Sequence, residues 1–255
     1  TKTYKKYFKS YLNIFQRLGL KAVPVRADNG AIGGSLSHEF QIIADNGESE
    51  IFYDENLAVQ LAKGNFDYDS LKEFYAAADE KHDPKLTKNI NLKKSRAIEV
   101  GHIFNFGTKY SEMMQAKVQD HTGKPVAINM GSYGIGVSRL VAAIIEANHD
   151  DQGMILPESI SPFQAIILNL RDRNDKVSEA ADKLYQKLRE QNITILYDNR
   201  KTSAGIKYAT ADLIGIPTQI IIDENIIEQK EITLKNRRTG KKENIKITNL
   251  NKFFQ

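Results

Sequence analysis

Near its start the chain carries Tyr4, Tyr7, Phe8, Tyr11, Leu12, Phe15 and Leu18 at three- and four-residue steps among lysines. That spacing lines one face of a helix over residues 2–18, which Gly19 ends. Residues 22–27 predict a short strand. The glycine turn "DNGAIGGS" separates it from an extended run, "SHEFQIIA", and "NGESEIFYD" reads as another turn and strand. Residues 55–96 are polar and lysine-rich around one helical patch, "DSLKEFYAAADEK", and are predicted to be a connecting excursion. "AIEVGHIFNFG" is β-branched and aromatic and predicts a strand; "VAINMGSYGIG" predicts a second that runs into glycines. Residues 137–147 are apolar on nearly every side, the pattern of a buried helix. Several strands in succession with one buried helix predict a largely antiparallel sheet, an α+β arrangement.

The rhythm then changes. "HDDQGMILPESISP" carries Gly153, Pro157 and Pro162 and predicts a linker. Beyond it, "FQAIILNL" reads as a strand, and "KVSEAADKLYQKLREQ" as a helix with Val177, Ala181, Leu184 and Leu188 on one face. The strand "ITILY", the helix "KYATADLIG", the strand "TQIIID" and a basic hairpin follow. Alternating strand and helix predict a small α/β domain with one antiparallel edge. The expected division is therefore residues 1–160 and 161–255.

Composition narrows the class. The 255 residues are 41% apolar and 27% charged, within the globular range, and contain no cysteine, which excludes disulfides and thiolate metal sites. No apolar run reaches membrane-spanning length and the N-terminus is not a signal peptide, so a cytoplasmic protein without membrane partners is expected. The net charge of +4 is uneven: from Pro162 onward there are 17 Lys/Arg against 12 Asp/Glu, and the first 161 residues stand at −1. A basic C-terminal part suits a polyanionic partner or simply a solvated lysine surface.

Known chemical motifs mostly fail. Gly134-x-Gly136-x-x-Arg139 lacks the third glycine of a dinucleotide fingerprint, and no Gly-Lys-Ser/Thr follows. "SHEF" has Ile42 where a zinc protease needs its second histidine, and neither "GGSLSH" nor "GSYG" has nucleophile-elbow spacing. What remains is a glycine junction that lets a ligand approach the backbone, with Arg139 in the first helical turn to meet an anion or cap a neighbouring carboxylate. With five histidines scattered singly, chemistry by positioning and charge stabilisation fits better than acid–base catalysis, and phosphoryl or nucleotidyl transfer is of that kind.

"DNGAIGGSLSHEFQIIADNGE", "IEVGHIFNFGTKYSEMM", "MGSYGIGVSRLVAAIIEAN", "LPESISPFQ" and "ADLIGIPTQIII" occur in this order. Together they closely resemble the bacterial-type prolyl-tRNA synthetase family over essentially the whole chain. The resemblance implies part of a class II synthetase core, with Arg139 as the motif 3 arginine on the terminal phosphate of ATP, followed by an anticodon-binding domain. It places Thr108 and Asn105 beside the adenosine, and Tyr110 and Ser132 at the proline pocket. His38 and Glu39 fall on a neighbouring active-site strand and are counted with the proline-binding residues. Asn105 replaces a frequent glutamine, and Ser132 a frequent cysteine. Arg200, Lys201 and Lys207 flank the helix expected near the anticodon, where "SAG" (Ser203 to Gly205) replaces Arg-Pro-Gly. ATP, Mg2+, L-proline and tRNA(Pro) are the implied ligands, with no zinc and no assigned metal ligands, and the complete enzyme is expected to be a homodimer.

By this resemblance motifs 1 and 2 lie upstream of Thr1, and the chain begins just after motif 2 without an initiator methionine. It is expected to be the C-terminal portion of a longer enzyme and inactive alone. The alternative is a non-catalytic, synthetase-like RNA-binding or regulatory protein. The segment from Glu55 to Arg96 occupies the place of the family's large editing insertion and is too short to hold it. The complete enzyme is therefore expected not to deacylate alanyl-tRNA(Pro) in cis; label release above the enzyme-free rate would refute this.

Overall fold

In the computed structural model, which describes residues 1–254, the aromatic stripe near the N-terminus forms helix α1 (Lys2–Arg17) and buries Tyr4, Phe8, Tyr11, Leu12 and Phe15. Gly19 adopts φ +73°, and the Leu20 N–H closes the helix end on the Phe15 carbonyl. The buried face rests on Phe40, whose ring lies 5.2–5.7 Å from those of Phe8, Tyr11 and Phe15. The chain forms two compact units, Thr1–Ala147 and a second beginning at Asn148.

In the first unit, β1 (Ala22–Arg26) runs antiparallel to β2 (Leu36–Ile43). Strand β3 (Ser49–Asp54) leads into α2 (Glu55–Ala62), capped by Asp54, and then the short α3 (Tyr68–Leu71) and β4 (Ala76–Ala78). The 16-residue β5 (Leu92–Gly107) pairs antiparallel with β2, β3 and, after α4 (Lys109–Met113) and the hairpin of β6 (Lys117–Gln119) and β7 (Pro125–Ala127), with β8 (Met130–Ile135). Because β4 pairs with both β3 and β1, the ladder β1–β2–β5–β3–β4 closes on itself and β8 continues the sheet outward from β5. Helix α5 (Val137–Ala147) follows β8.

Two expectations for this unit need correction. The helical patch around "DSLKEFYAAADEK" holds only for α3; Ala76, Ala77 and Ala78 form strand β4, buried between β1 and β3. Alanine favours a helix locally, but here side chains of minimal bulk let a strand close the ring, and tertiary packing overrides propensity. The excursion over residues 55–96 thus supplies part of the sheet. Nor is α5 buried all round: Leu140, Ala143 and Ile144 face inward while Val137 and Val141 are 74% and 62% exposed.

The second unit has strand order β12-β11-β13-β14-β15. It opens with a hairpin of β9 (His149–Asp150) and β10 (Gly153–Met154), where the sequence predicts a linker. The hairpin is fixed within this unit by Arg237, whose guanidinium donates to both Asp150 carboxylate oxygens at 2.7 and 2.8 Å and to the Asp212 carbonyl at 3.0 Å. Strand β11 (Ala165–Asn169) lies parallel to β12 (Ile195–Asp198) and β13 (Thr218–Ile222); β14 (Glu231–Asn236) and β15 (Lys242–Lys246) add an antiparallel edge. Every residue of β11 and β13 is buried, as a strand covered on both faces requires. Alternate residues meet α6 (Asp175–Glu190) on one side and α7 (Ala204–Ile214) on the other, and α8 (Asn225–Glu228) joins the α6 side. Among the described residues no helix is long and apolar enough to cross a membrane.

Burial, with Arg26 nearby, pushes the His38 imidazole down to about 3, while the unfolded group titrates near ~6.5. Between those values the unfolded chain binds a proton that the folded chain refuses, so stability falls as pH drops from about 6.5 toward 3. The slope reaches at most about 1.4 kcal/mol per pH unit. His38→Gln should remove this component, seen as a shallower decline of Tm with pH over that window than in the wild type. Parallel declines would show that His38 does not contribute.

Candidate active site and anticodon face

The local geometry of β5 depends on a bulge. Phe40 pairs with Gly101 but Gln41 pairs with Glu99, so Val100 has no partner on β2. In a regular strand residues three apart point to opposite faces; one extra residue returns them to the same face. Glu99 and His102 consequently converge, with a carboxylate oxygen 3.4 Å from the imidazole Nδ1. Glu39, directly across from His102 on β2, adds its carboxylate at 3.7 Å from Nδ1. Burial and the nearby Glu99 carboxylate push the Glu39 pKa up. The His102 Nε2 is buried without a hydrogen-bond partner.

Arg139 stands beside this cluster in the first turn of α5. Its Nη1 donates to the Glu99 carbonyl at 3.0 Å and lies 3.7 Å from carboxylate oxygens of Glu99 and Glu48. Half of the guanidinium side chain remains exposed, so its other donors are available to an anion. Gly134 lies across from His102 on β8 and adds no side chain there. Phe104 stacks on His102 at 3.8 Å, and Phe106 and Tyr110 extend the aromatic row. Ser132 is across from Phe104, hence on the same face, and exposed.

Other expected residues are engaged elsewhere. His38 follows the alternation of β2 to the opposite face, where its Nδ1 meets the Tyr4 hydroxyl at 2.6 Å and its ring packs against Phe8. The Asn105 carboxamide oxygen accepts from the Gly107 N–H at 3.1 Å, closing a second bulge. Thr108 donates to Glu112, and Tyr110 to the Ile32 carbonyl of the glycine turn. That turn needs glycine: Gly34 has φ +118°, and a Cβ there would lie 2.6 Å from the Asn105 carbonyl oxygen.

In the second unit the loops after β11 and β12 border an open cavity of about 510 Å³, lined by Arg171, Asp172, Arg173, Asn174, Thr202 and Ser203 among others. Asn174 and Ser203 cap α6 and α7. Arg200 is held by both Asp198 carboxylate oxygens at 2.7 and 2.9 Å and by Thr210, yet half of its side chain is exposed. Lys201 is exposed. Lys207 is completely buried, which removes it from any surface a ligand could touch. Arg237 and Arg238, read as part of a basic hairpin, are likewise turned to protein groups: Arg238 donates to Asn148 and the Ile155 carbonyl.

Comparison with known proteins decides the family. The profile described as "tRNA synthetase class II core domain (G, H, P, S and T)" matches residues 1–148, and that described as "Anticodon binding domain" matches residues 164–255. The chain belongs to the class II aminoacyl-tRNA synthetases. It is 50% identical over 245 residues to the proline–tRNA ligase of Rickettsia bellii (strain OSU 85-389), covering 96% of this chain and 57% of that one. With the proline–tRNA ligase of Zymomonas mobilis subsp. mobilis (strain ATCC 31821 / ZM4 / CP4) it shares 46% over 258 residues, covering 96% and 58%. The chain thus spans less than three fifths of these curated relatives. Its fold is that of the Giardia lamblia prolyl-tRNA synthetase solved with prolyl-adenylate, at TM-score 0.71 and 17% identity over 98% of this chain and 43% of that one. The Cryptosporidium parvum enzyme with L-proline and AMP also aligns at TM-score 0.71, with 15% identity over 99% and 43%.

As a class II synthetase core, the first unit brings Glu39, Ser132 and Arg139 to one face but not His38 or Asn105. Sequence reading overlooked Glu99 and His102, because their odd spacing in a strand argues against a shared face and no residue pattern announces the bulge. Ligand atoms of Glu39, Glu99 and His102 lie within 4.8 Å of one another, a donor set of two carboxylates and one imidazole. The two carboxylates are donors of the kind a divalent cation such as Mg2+ or Mn2+ takes, and the imidazole would add a nitrogen ligand. Mn2+ titration followed by electron paramagnetic resonance should show at least about tenfold weaker binding in Glu99→Gln than in the wild type. Equal affinities would remove the cluster as a cation site.

Proposed function

We propose that these residues work within a prolyl-tRNA synthetase, which activates L-proline with ATP and transfers it to tRNA(Pro). The observation that carries this reading is Arg139 beside the Glu39–Glu99–His102 cluster, a guanidinium next to two carboxylates and an imidazole that could together hold a cation. The high identity to proline–tRNA ligases along 96% of the chain supports proline as the amino acid. In adenylation the proline carboxylate attacks the α-phosphorus of ATP in line, forming the acyl–phosphate bond as pyrophosphate leaves. The prolyl group then passes to a hydroxyl of the terminal ribose of tRNA with release of AMP.

Nothing in the first step requires a protein nucleophile, and its demand is for charge placed where the phosphates lie. Arg139 supplies fixed donors to the terminal phosphate, held in direction by the Glu99 carbonyl. Glu39, Glu99 and His102 would hold Mg2+, which when bound neutralises phosphate charge. Ser132 keeps the adjoining surface open for proline; Tyr110, anchored on the glycine turn, borders it. Thr108, beside Tyr110, borders the adenosine. Arg200 and Lys201 face the anticodon, whose bases are splayed and read by stacking and hydrogen bonding. The complete enzyme works as a cytoplasmic homodimer.

Proline-dependent ATP–pyrophosphate exchange on the complete enzyme tests this. Arg139→Ala should lower kcat/KM for ATP by roughly 10²–10³, the scale of losing one preorganised charge contact, with tRNA affinity nearly unchanged. Exchange as fast as wild type would make the arginine structural. Complete protein that binds tRNA(Pro) yet shows no exchange would instead be a non-catalytic RNA-binding relative.

A further inference from the structure

Lysine is seldom fully buried without a partner, yet Lys207 in the first turns of α7 has no exposed side-chain surface. Its ammonium donates to the Asn169 carbonyl at 2.5 Å and pairs with the Asp172 carboxylate at 3.1 Å. That same Asp172 oxygen accepts from the Thr202 N–H at 3.1 Å. Asn169, the last residue of β11, also accepts from the Arg171 N–H and donates to Ser178 in α6. One buried cation therefore ties together the end of β11, the loop after it, and the loop after β12. These two loops line the 510 Å³ cavity and carry Arg171, Arg173 and Thr202.

We infer that Lys207 is a positioning residue for tRNA recognition: it touches no RNA and instead sets the spacing of the two loops through Asp172. This rests on the proposed anticodon role of the second unit. The Lys207 ammonium also holds the Asp172 carboxyl below the usual carboxylate range, so the aspartate stays ionised and keeps its bond to Thr202. Removing the ammonium leaves Asp172 without its cation, and the carboxylate turns toward water. The loop after β12 then loses the anchor of its backbone.

A phosphate-contacting lysine and a buried pin differ in salt dependence. Loss of a phosphate contact lowers the slope of log K against log [salt] by about 0.7–0.9; loss of a pin does not. The experiment uses the complete enzyme and Lys207→Met, with tRNA(Pro) binding measured across a salt series and hydrogen exchange followed in the peptide spanning residues 199–206. The expected result is roughly tenfold weaker binding with an unchanged salt slope, and faster exchange at Thr202. Should Lys207→Met not fold, Lys207→Gln keeps a polar side chain while removing the charge that holds Asp172, and carries the same expectations. A reduced salt slope, or unchanged affinity and exchange, would overturn the inference. Wild-type enzyme that failed to bind tRNA(Pro) would overturn the anticodon reading itself, and this inference with it.

Discussion

Strand β5 must pair with β2, β3 and β8 at once, and the bulge that leaves Val100 without a partner on β2 is what brings Glu99 and His102 to one face. Without that bulge Glu99 would project toward the side covered by α1, where Phe8, Phe15 and Phe40 leave no room for a carboxylate. With it, Glu99, His102 and Glu39 share one surface and Arg139 leans on the Glu99 carbonyl. Burial first, and the nearby Glu99 carboxylate second, make Glu39 hold its proton more tightly than in water. A cation placed among these groups would relieve that repulsion.

The opposite face of the same sheet shows what the arrangement protects. Helix α1 covers it with an aromatic layer, and His38 sits there neutral, matched to the Tyr4 hydroxyl. Neighbouring residues of β2 thus serve different ends: His38 completes a core and Glu39 an ionic surface. Strand alternation alone separates these environments. It explains how "SHEF" can place two titratable groups side by side in sequence and apart in space.

The second unit handles charge in a comparable way. Its basic excess does not translate directly into a basic surface, because Lys207, Arg237 and Lys235 spend their donors on carbonyls and carboxylates inside the unit. Buried ion pairs of this kind are weak grounds for stability but good ones for specificity, since breaking one side leaves a stranded charge. They explain how the hairpin of residues 149–154 and the loops after β11 and β12 hold defined positions without long apolar anchors. Arg200 and Lys201 remain exposed.

Much of the architecture is legible from residue spacing. The stripe Tyr4, Phe8, Tyr11, Leu12, Phe15 determines α1, and Val177, Ala181, Leu184, Leu188 determine α6, because a helix face has its own period. The change from successive strands to alternating strand and helix separates the two folds, and the ordered motifs single out Arg139 as a candidate. Tertiary structure alone decided that three alanines become the strand closing the sheet, that half of α5 faces outward, and that Glu99 joins His102. It alone decided that Lys207 turns inward. Three of these depend on a partner distant in sequence: β1 for β4, β2 for the bulge, Asp172 for the lysine. Local periodicity records which residues a helix or strand can present together; register and burial, set by those partners, determine what they meet.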